Sequence, residues 1–269
     1  MSGLSETAYA KINLALHVRE KLPDGYHRIE TVFAFCEHGD ELAGETAPSL
    51  SLSISGEFRH GLSTHDNLVV RAANALRNSC GVDRAASLEL VKNVPIASGL
   101  GGGSADAGAA LRLLNRLWDL RLPLERLEEV GRVLGADVPA CTRSETARGE
   151  GKGDSLDTVE LGLAGTPVLL VNPRIESPTA DAYARWDGLD RGPLGDWREG
   201  RNDLEAAAVS AIPQIGTVLA WLSAQHGAEC VRMSGSGATC FALFDGDAAR
   251  DQAAMAVPRE WWHLATRLR

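Results

Sequence analysis

Four of the five residues from Gly99 to Gly103 are glycine, within the run Pro95-Ile96-Ala97-Ser98-Gly99-Leu100-Gly101-Gly102-Gly103-Ser104-Ala105-Asp106. Glycine loses more backbone entropy on folding than any other residue, so an ordered run of this kind needs a compensating interaction. The chain from about Ser104 to Leu120 then carries Ala107, Ala110, Leu111, Leu114, Leu117 and Trp118 at three- and four-residue spacing. That spacing predicts a helix with one buried face. A glycine-rich backbone running without a gap into a helix offers unpaired N–H groups and the positive end of a helix dipole. Together these make a cradle for phosphate oxygens. The competing reading is a flexible linker ahead of a helix.

Around this feature the pattern is mixed. Period-two alternation and β-branched runs predict strands over 7–18, 29–35, 50–54, 87–91, 167–172, 230–233 and 239–244. Helices are expected over 67–76, 124–134 (ended by Gly135), 178–186, 203–211 and 214–225, with a break near Pro213. Pro23-Asp24-Gly25 marks a turn, and the Gly- and Pro-bearing stretch 187–200 is expected to be an exposed loop. Strands and helices mix without regular βαβ alternation, which favours an α+β fold. The 269 residues suit two domains, 1–158 and 159–269.

Composition excludes several function classes. Asp and Glu outnumber Lys and Arg by 36 to 27, a formal charge of −9 that disfavours nonspecific binding to nucleic acid or an anionic membrane. The five cysteines (Cys36, Cys80, Cys141, Cys230 and Cys240) are scattered, with neither a CxxC pair nor zinc spacing, as expected of a cytoplasmic protein without a disulfide framework or structural zinc. Residues 1–10 lack a basic region followed by an apolar core, so no secretory signal is expected, and the apolar runs are too short to span a bilayer. The familiar motifs fail as well. Ser104 and Asp106 stand where GxGxxG needs its last glycine, Gly153 follows Lys152 where a P-loop needs Ser or Thr, and GxSxG and HExxH do not occur.

Pro95 to Asp106 resembles the phosphate-binding motif of the GHMP small-molecule kinases. Other segments follow in the order and spacing of one branch of that family: Ala10-Lys11-Ile12-Asn13-Leu14, Asp24-Gly25-Tyr26-His27, Asp66-Asn67-Leu68-Val69, Gly135-Ala136-Asp137-Val138-Pro139, Asn202-Asp203-Leu204-Glu205, and Arg232-Met233-Ser234-Gly235-Ser236-Gly237-Ala238-Thr239. The resemblance covers residues 8–245. It implies a two-lobed α+β fold, with an N-terminal mixed α/β lobe carrying the glycine-rich loop and a C-terminal ferredoxin-like lobe. It also implies transfer of the γ-phosphoryl group of ATP to the 2-hydroxyl of a cytidine diphosphate methylerythritol, in non-mevalonate isoprenoid precursor biosynthesis. Mg2+ is implied with the ATP, bound mainly through its phosphates, with Ser104 the only, weak, candidate among protein ligands.

Carried over by motif, the resemblance implies Lys11 and Asp137 as catalytic residues. A lysine beside a carboxylate keeps it ionised and stabilises charge developing on the transferred group. A carboxylate with an ordinary pKa of about 4 is a weak base toward an alcohol, so proton transfer is expected late. Taken singly, Asp137 reads as a turn residue and Lys11 as a solvated strand end. For ATP the implied residues are Asn67, Leu68, Lys92, Pro95, Ile96, Ala97, Ser98, Gly99, Leu100, Gly101, Gly102, Gly103, Ser104 and Ala105, with Lys92 equally readable as a solvated strand residue. For the substrate they are Asn13, Tyr26, His27, Thr179 and Tyr183. Tyr183 is either a second aromatic stacked on cytosine or a helix residue packed on its own domain.

The chain departs from the family pattern at Ala140-Cys141-Thr142-Arg143-Ser144, at Asp154 in place of glutamate, and at Glu176-Ser177-Pro178. Two other functions stay open on the residues. One is phosphorylation of another small alcohol, such as homoserine or mevalonate, against which Asp24-Gly25-Tyr26-His27 argues. The other is a nucleotide-binding regulator without catalysis, against which the presence of both Lys11 and Asp137 argues.

Overall fold

A computed structural model describes residues 3–269. The chain forms two compact units that interleave in sequence. The first holds the chain through Ala10, His38–Ile96 and Gly101–Ser144; the second holds Lys11–Glu37, Ala97–Leu100 and Glu145–Arg269. The first two passages from one unit to the other fall inside two long strands, β1 (Leu4–Lys21) and β2 (His27–Ala47).

In the first unit, β4 (Ala85–Val91) lies antiparallel to the end of β2, pairing Leu90 with Leu42, and parallel to β3 (Ser51–Ser55), pairing Leu90 with Ile54. Ala86, Leu88 and Leu90 alternate inward, as period two requires. Four helices complete the unit: α1 (Leu68–Cys80), α2 (Gly102–Leu117), α3 (Leu124–Arg132) and α4 (Val138–Arg143). Asn67 caps α1 by accepting from the Val69 N–H at 2.9 Å, and Gly81 closes it in the left-handed conformation. The strand expected over 29–35 extends to Ala47, because Asp40 is a buried ion-pair member and interrupts the apolar alternation that marks a strand. The helix expected to bury one face is instead buried almost all round from Ala105 to Leu111, since α1 and α4 both pack on it. A Cβ on Gly108 would lie 2.7 Å from the Cys141 backbone, so this glycine lets α4 approach so closely.

In the second unit, the start of β2 pairs antiparallel with β5 (Ala147–Glu150), which turns into β6 (Ser155–Thr158). A four-stranded antiparallel sheet has the order β10-β7-β9-β8, from β7 (Pro167–Asn172), β8 (Ala228–Met233), β9 (Cys240–Phe244) and β10 (Trp262–Arg267). Between β7 and β8 run α5 (Thr179–Ala184), α6 (Glu205–Ala211) and α7 (Pro213–Ser223), and α8 (Asp247–Met255) joins β9 to β10. This is the split βαβ arrangement expected of a ferredoxin-like lobe. Its core packs Ile215, Val218 and Leu222 of α7 with Leu169, Val171, Ala242 and Phe244 of the sheet. Among the described residues no single helix is long and apolar enough to cross a membrane.

The segment 187–200 lacks regular structure, but it is not the exposed loop expected. Leu194 and Trp197 are buried, and neighbouring strands hold the backbone. Arg232 donates to the Trp197 carbonyl at 2.7 Å, Leu194 N–H donates to Glu30 at 2.6 Å, and Arg19 pairs with Asp190 at 2.8 Å. His17, only 3% exposed, bonds through Nδ1 to the Gly192 carbonyl and accepts the Arg201 N–H on Nε2. That pairing requires a neutral ring with its proton on Nδ1. Burial is the main cause of the lowered His17 pKa, opposed by the Gly192 bond and assisted by the Arg201 charge. The unfolded chain therefore binds the His17 proton more readily than the native one. Its contribution to stability is present above the ordinary histidine value of about 6.5 and is lost as the pH falls through the lower native value. Urea unfolding should show His17→Gln losing less stability than wild type between pH 7 and pH 5. Parallel losses would show that the ring does not pin this segment.

Candidate functional site

The glycine-rich loop is ordered by its carbonyls. In the second unit, all four carbonyls from Ala97 to Leu100 accept hydrogen bonds from distant parts of the same unit. Ser177 N–H donates to Ala97 at 2.8 Å, Thr239 N–H to Ser98 at 3.0 Å, Ser234 Oγ to Gly99 at 2.8 Å, and Lys11 N–H to Leu100 at 3.0 Å. A flexible linker would not be held in this way. With its acceptors turned into the protein, the loop is suited to offer donors to an anion. Gly99 has φ +79°, and a Cβ there would sit 2.1 Å from the Ser234 carbonyl oxygen. The turn 234–239 that grips the loop is itself braced by Asn202, whose Nδ2 donates to the carbonyls of Met233 and Gly235 at 2.8 Å each. Ser234, Thr239 and Asn202 lie in the quoted motifs. Their bracing role is not visible in sequence, because their partners stand more than 30 residues away.

Lys11 lies inside β1 and is 3% exposed, which overturns its reading as a solvated strand end. Its ammonium donates to Asn13 Oδ1 at 2.9 Å and stands 5.4 Å from the centre of the Phe33 ring. Asn13 in turn donates through Nδ2 to Thr31 Oγ1 at 2.8 Å, which fixes the orientation of its amide. The Asn13 oxygen, and with it Lys11 Nζ, is therefore held in a definite place.

In the first unit, α2 begins at Gly102, directly after the loop, with Gly101 in the left-handed conformation at φ 64°. Leu68, the first residue of α1, reaches the second residue of α2, where a Cβ on Gly103 would lie 3.3 Å from its Cδ1. Asn67 uses its side chain locally, accepting from Val69 N–H and donating to the Ser63 carbonyl at 3.1 Å. Lys92 is not a solvated strand residue. It is 2% exposed, and its ammonium is shared between Asp106, at 2.7 Å, and Asp40. Asp137 occupies the N-cap of α4, yet its side chain makes no capping bond to that helix. Pro139 stands in the first turn of α4, where its missing N–H has no cost.

The residues expected to meet the substrate base gather in the second unit. The His27 and Tyr183 rings stack at 4.9 Å and 29°, and Trp186, absent from the sequence-based candidates, meets His27 edge-on at 5.5 Å. Tyr183 also packs on the core of its own unit, so the packing role weighed for it is real. Burial, reinforced by the Lys21 charge, lowers the His27 pKa below the usual histidine range. At pH 7 the ring is therefore neutral, with one N–H donor and one acceptor nitrogen. Tyr26 is 53% exposed, with the Lys152 ammonium 4.5 Å from its ring centre. Lys152 is paired in turn with Asp24 at 2.5 Å. Thr179 Oγ1 lies 3.3 Å from Ser236 Oγ, beside the turn that supports the loop. Among the described residues no three His, Cys, Asp or Glu side chains group as ligands for a metal.

Comparison with known proteins finds relatives along nearly the whole chain. The family model for the GHMP kinases N terminal domain matches residues 67–145, and that for GHMP kinases C terminal matches residues 187–263. The chain is 51% identical to a 4-diphosphocytidyl-2-C-methyl-D-erythritol kinase of Rhizorhabdus wittichii, with 98% of this chain and 94% of that protein covered. It is also 51% identical to the protein of the same name from Novosphingobium aromaticivorans, with 99% and 93% covered. A crystal structure of 4-(cytidine 5'-diphospho)-2C-methyl-D-erythritol kinase matches with a TM-score of 0.84 at 30% identity, covering 98% of this chain and 99% of that one. A homoserine kinase from Cytophaga hutchinsonii shares the fold at a TM-score of 0.71 and 18% identity, with 100% and 95% covered. Family models that together match more than half of the chain, and relatives this similar along nearly all of it, place it among the GHMP kinases, in the family of the 4-diphosphocytidyl-2-C-methyl-D-erythritol kinases.

Proposed function

We propose that the chain transfers the γ-phosphoryl group of ATP to the 2-hydroxyl of 4-diphosphocytidyl-2-C-methyl-D-erythritol. The observation that carries this reading is the loop from Ala97 to Leu100, whose four carbonyls are all engaged by the protein, followed at once by the N-terminus of α2. Residues 95–105 hold the ATP phosphates through backbone N–H groups and the helix dipole. Asn67 and Leu68 lie toward the adenine. Lys92 belongs to the same ATP site and acts there through its carboxylate partners. Mg2+ stays with the nucleotide phosphates.

Phosphoryl transfer asks the protein for position and for charge neutralisation rather than for covalent chemistry. Lys11, held by Asn13, stabilises charge on the attacking oxygen and on the transferred group. Asp137 aligns the 2-hydroxyl and accepts its proton late. Tyr26, His27 and Tyr183 take the cytosine: a planar base suits an aromatic face, and a neutral His27 supplies both a donor and an acceptor. Asn13 and Thr179 lie toward the erythritol and diphosphate. The two family models fall on either side of residue 158, in keeping with a division in sequence into 1–158 and 159–269, although residues 11–37, 97–100 and 145–158 belong to the second compact unit.

ADP release tests the acceptor. With ATP and Mg2+, kcat/KM for the cytidine diphosphate substrate should exceed that for mevalonate or homoserine by at least ~100-fold, because a site built to hydrogen-bond one substrate rejects analogues that leave its polar groups unpaired. Equal or better turnover of either competitor would move the chain to another small-alcohol kinase activity. Nucleotide binding without turnover of any acceptor would favour the regulatory reading.

A further inference from the structure

Three ionisable side chains are sealed from solvent against the first turn of α2, and the phosphoryl transfer described above gives the two carboxylates beside Lys92 no step of their own. Asp40 on β2 is fully buried, Lys92 just after β4 is 2% exposed, and Asp106 on α2 is 3% exposed. The Lys92 ammonium donates to Asp106 Oδ2 and to Asp40 Oδ2. Asp40 Oδ1 accepts the N–H groups of Asn93, at 2.5 Å, and Val94, at 3.0 Å, the two residues that lead into Pro95. A Cβ on Gly102 would lie 3.4 Å from Lys92 Nζ and 3.8 Å from Asp40 Oδ2, so the cluster abuts the opening residue of the helix. The second oxygen of Asp106, Oδ1, is buried without a hydrogen-bond partner.

One ammonium and two carboxylates sum to −1 when all are ionised. A buried carboxylate oxygen with no donor is costly as an anion and tolerable as part of a neutral acid. Burial, with the Asp40 charge adding to it and the Lys92 ammonium opposing it, raises Asp106 to about 7. The two carboxylates outweigh the effect of burial on Lys92 and hold its pKa above the usual lysine value, so the lysine keeps its proton. Of the helices packed on α2, α1 buries Val69, Ala72, Ala73 and Leu76, and α4 buries Val138, Pro139, Ala140, Cys141 and the uncharged Thr142. Glu128 of α3 is paired with Arg143 of α4, and Arg112 of α2 with Glu6. Asp106 therefore meets the charges of Lys92 and Asp40. A polyphosphate at the N-terminus of α2 would face a buried net negative charge unless that charge were removed.

We propose that Asp106 takes up a proton when the polyphosphate of a nucleotide binds at the N-terminus of α2. It is then a positioning residue, whose neutral form lets the Asp40–Lys92 pair hold residues 93–95 while the phosphates bind. The proposal rests on the nucleotide-binding reading above. It does not depend on the identity of the phosphoryl acceptor.

The test is calorimetric titration of the full chain with ADP at pH 8, where the phosphates of ADP are already ionised, in two buffers of different ionisation enthalpy. Wild type should take up between about 0.5 and 1 proton per nucleotide, and its Kd should weaken by up to about tenfold per pH unit above neutrality, the limit for one linked proton. Asp106→Asn, an uncharged isostere, should bind without that uptake and with a flat pH profile. Tight binding by wild type without proton uptake would overturn the proposal and leave the nucleotide reading standing. Uptake unchanged in Asp106→Asn would overturn it equally. No binding by wild type would overturn the nucleotide reading and the proposal with it. If the variant fails to fold, the proton count and the pH slope of the wild type decide the matter, since a purely structural ion cluster predicts neither.

Discussion

Asp137→Asn is expected to lower kcat for ADP release by at least ~100-fold, the loss typical when a group that handles the reacting proton is removed. Asparagine keeps the size of the side chain and one oxygen to receive a hydrogen bond, but it cannot accept the proton. Asp137 makes no capping bond to α4, so the substitution takes no cap from the helix. A fall in kcat with KM for ATP little changed would place the residue in the transition state rather than in nucleotide binding. Activity retained within tenfold would leave Asp137 a role in alignment alone and shift the weight of catalysis to Lys11. Lys11 is already buried and held by Asn13, as a charge stabiliser needs to be.

Gly99→Ala is expected to abolish tight nucleotide binding, weakening ADP by roughly 30-fold or more, equivalent to about 2 kcal/mol. Two costs combine. The residue sits at φ +79°, where an L side chain costs about 1–2 kcal/mol. The new Cβ would also lie 2.1 Å from the Ser234 carbonyl, a backbone atom that cannot swing aside. The loop must move, and the bonds from Ser234 and Thr239 to its carbonyls break with it. Gly103→Ala, four residues on, is the internal comparison. Its Cβ meets the flexible end of Leu68 at 3.3 Å, and alanine favours the helix that starts there, so resistance to unfolding should be unchanged or slightly raised. Equal effects at the two positions would show that the run as a whole is flexible and that its geometry is not built around Gly99.

Much of the fold is legible because local pattern and tertiary use coincide. The strands at 167–172 and 240–244 and the helices α1, α3 and α7 lie within a few residues of their expected ranges. In each, apolar residues recur at the period of the element and face a core. Legibility fails where polar residues are buried or where short elements depend on neighbours. Asp40 hides the second half of β2, since a carboxylate reads as surface until Lys92 is placed beside it. The six-residue α4 is too short to show a helical period, and it is held by the close approach over Gly108. The segment 187–200 reads as an exposed loop because its stabilising contacts come from Arg19, Glu30 and Arg232, far away in the chain.

The sequence by itself determined the fold class, the glycine-rich loop with its helix, and the motif residues that mark the family. Each of these is written in contiguous residues, through the backbone freedom of glycine or the period of apolar side chains. Only the tertiary structure decided that every loop carbonyl from Ala97 to Leu100 is engaged, that Lys11 and Lys92 are buried, that His27 stacks on Tyr183, and that Asp106 carries an unpartnered oxygen. Desolvation and hydrogen bonding depend on which atoms meet in space. Residues 177, 234 and 239 meet the loop across more than 75 positions of chain, a separation at which no local pattern carries information.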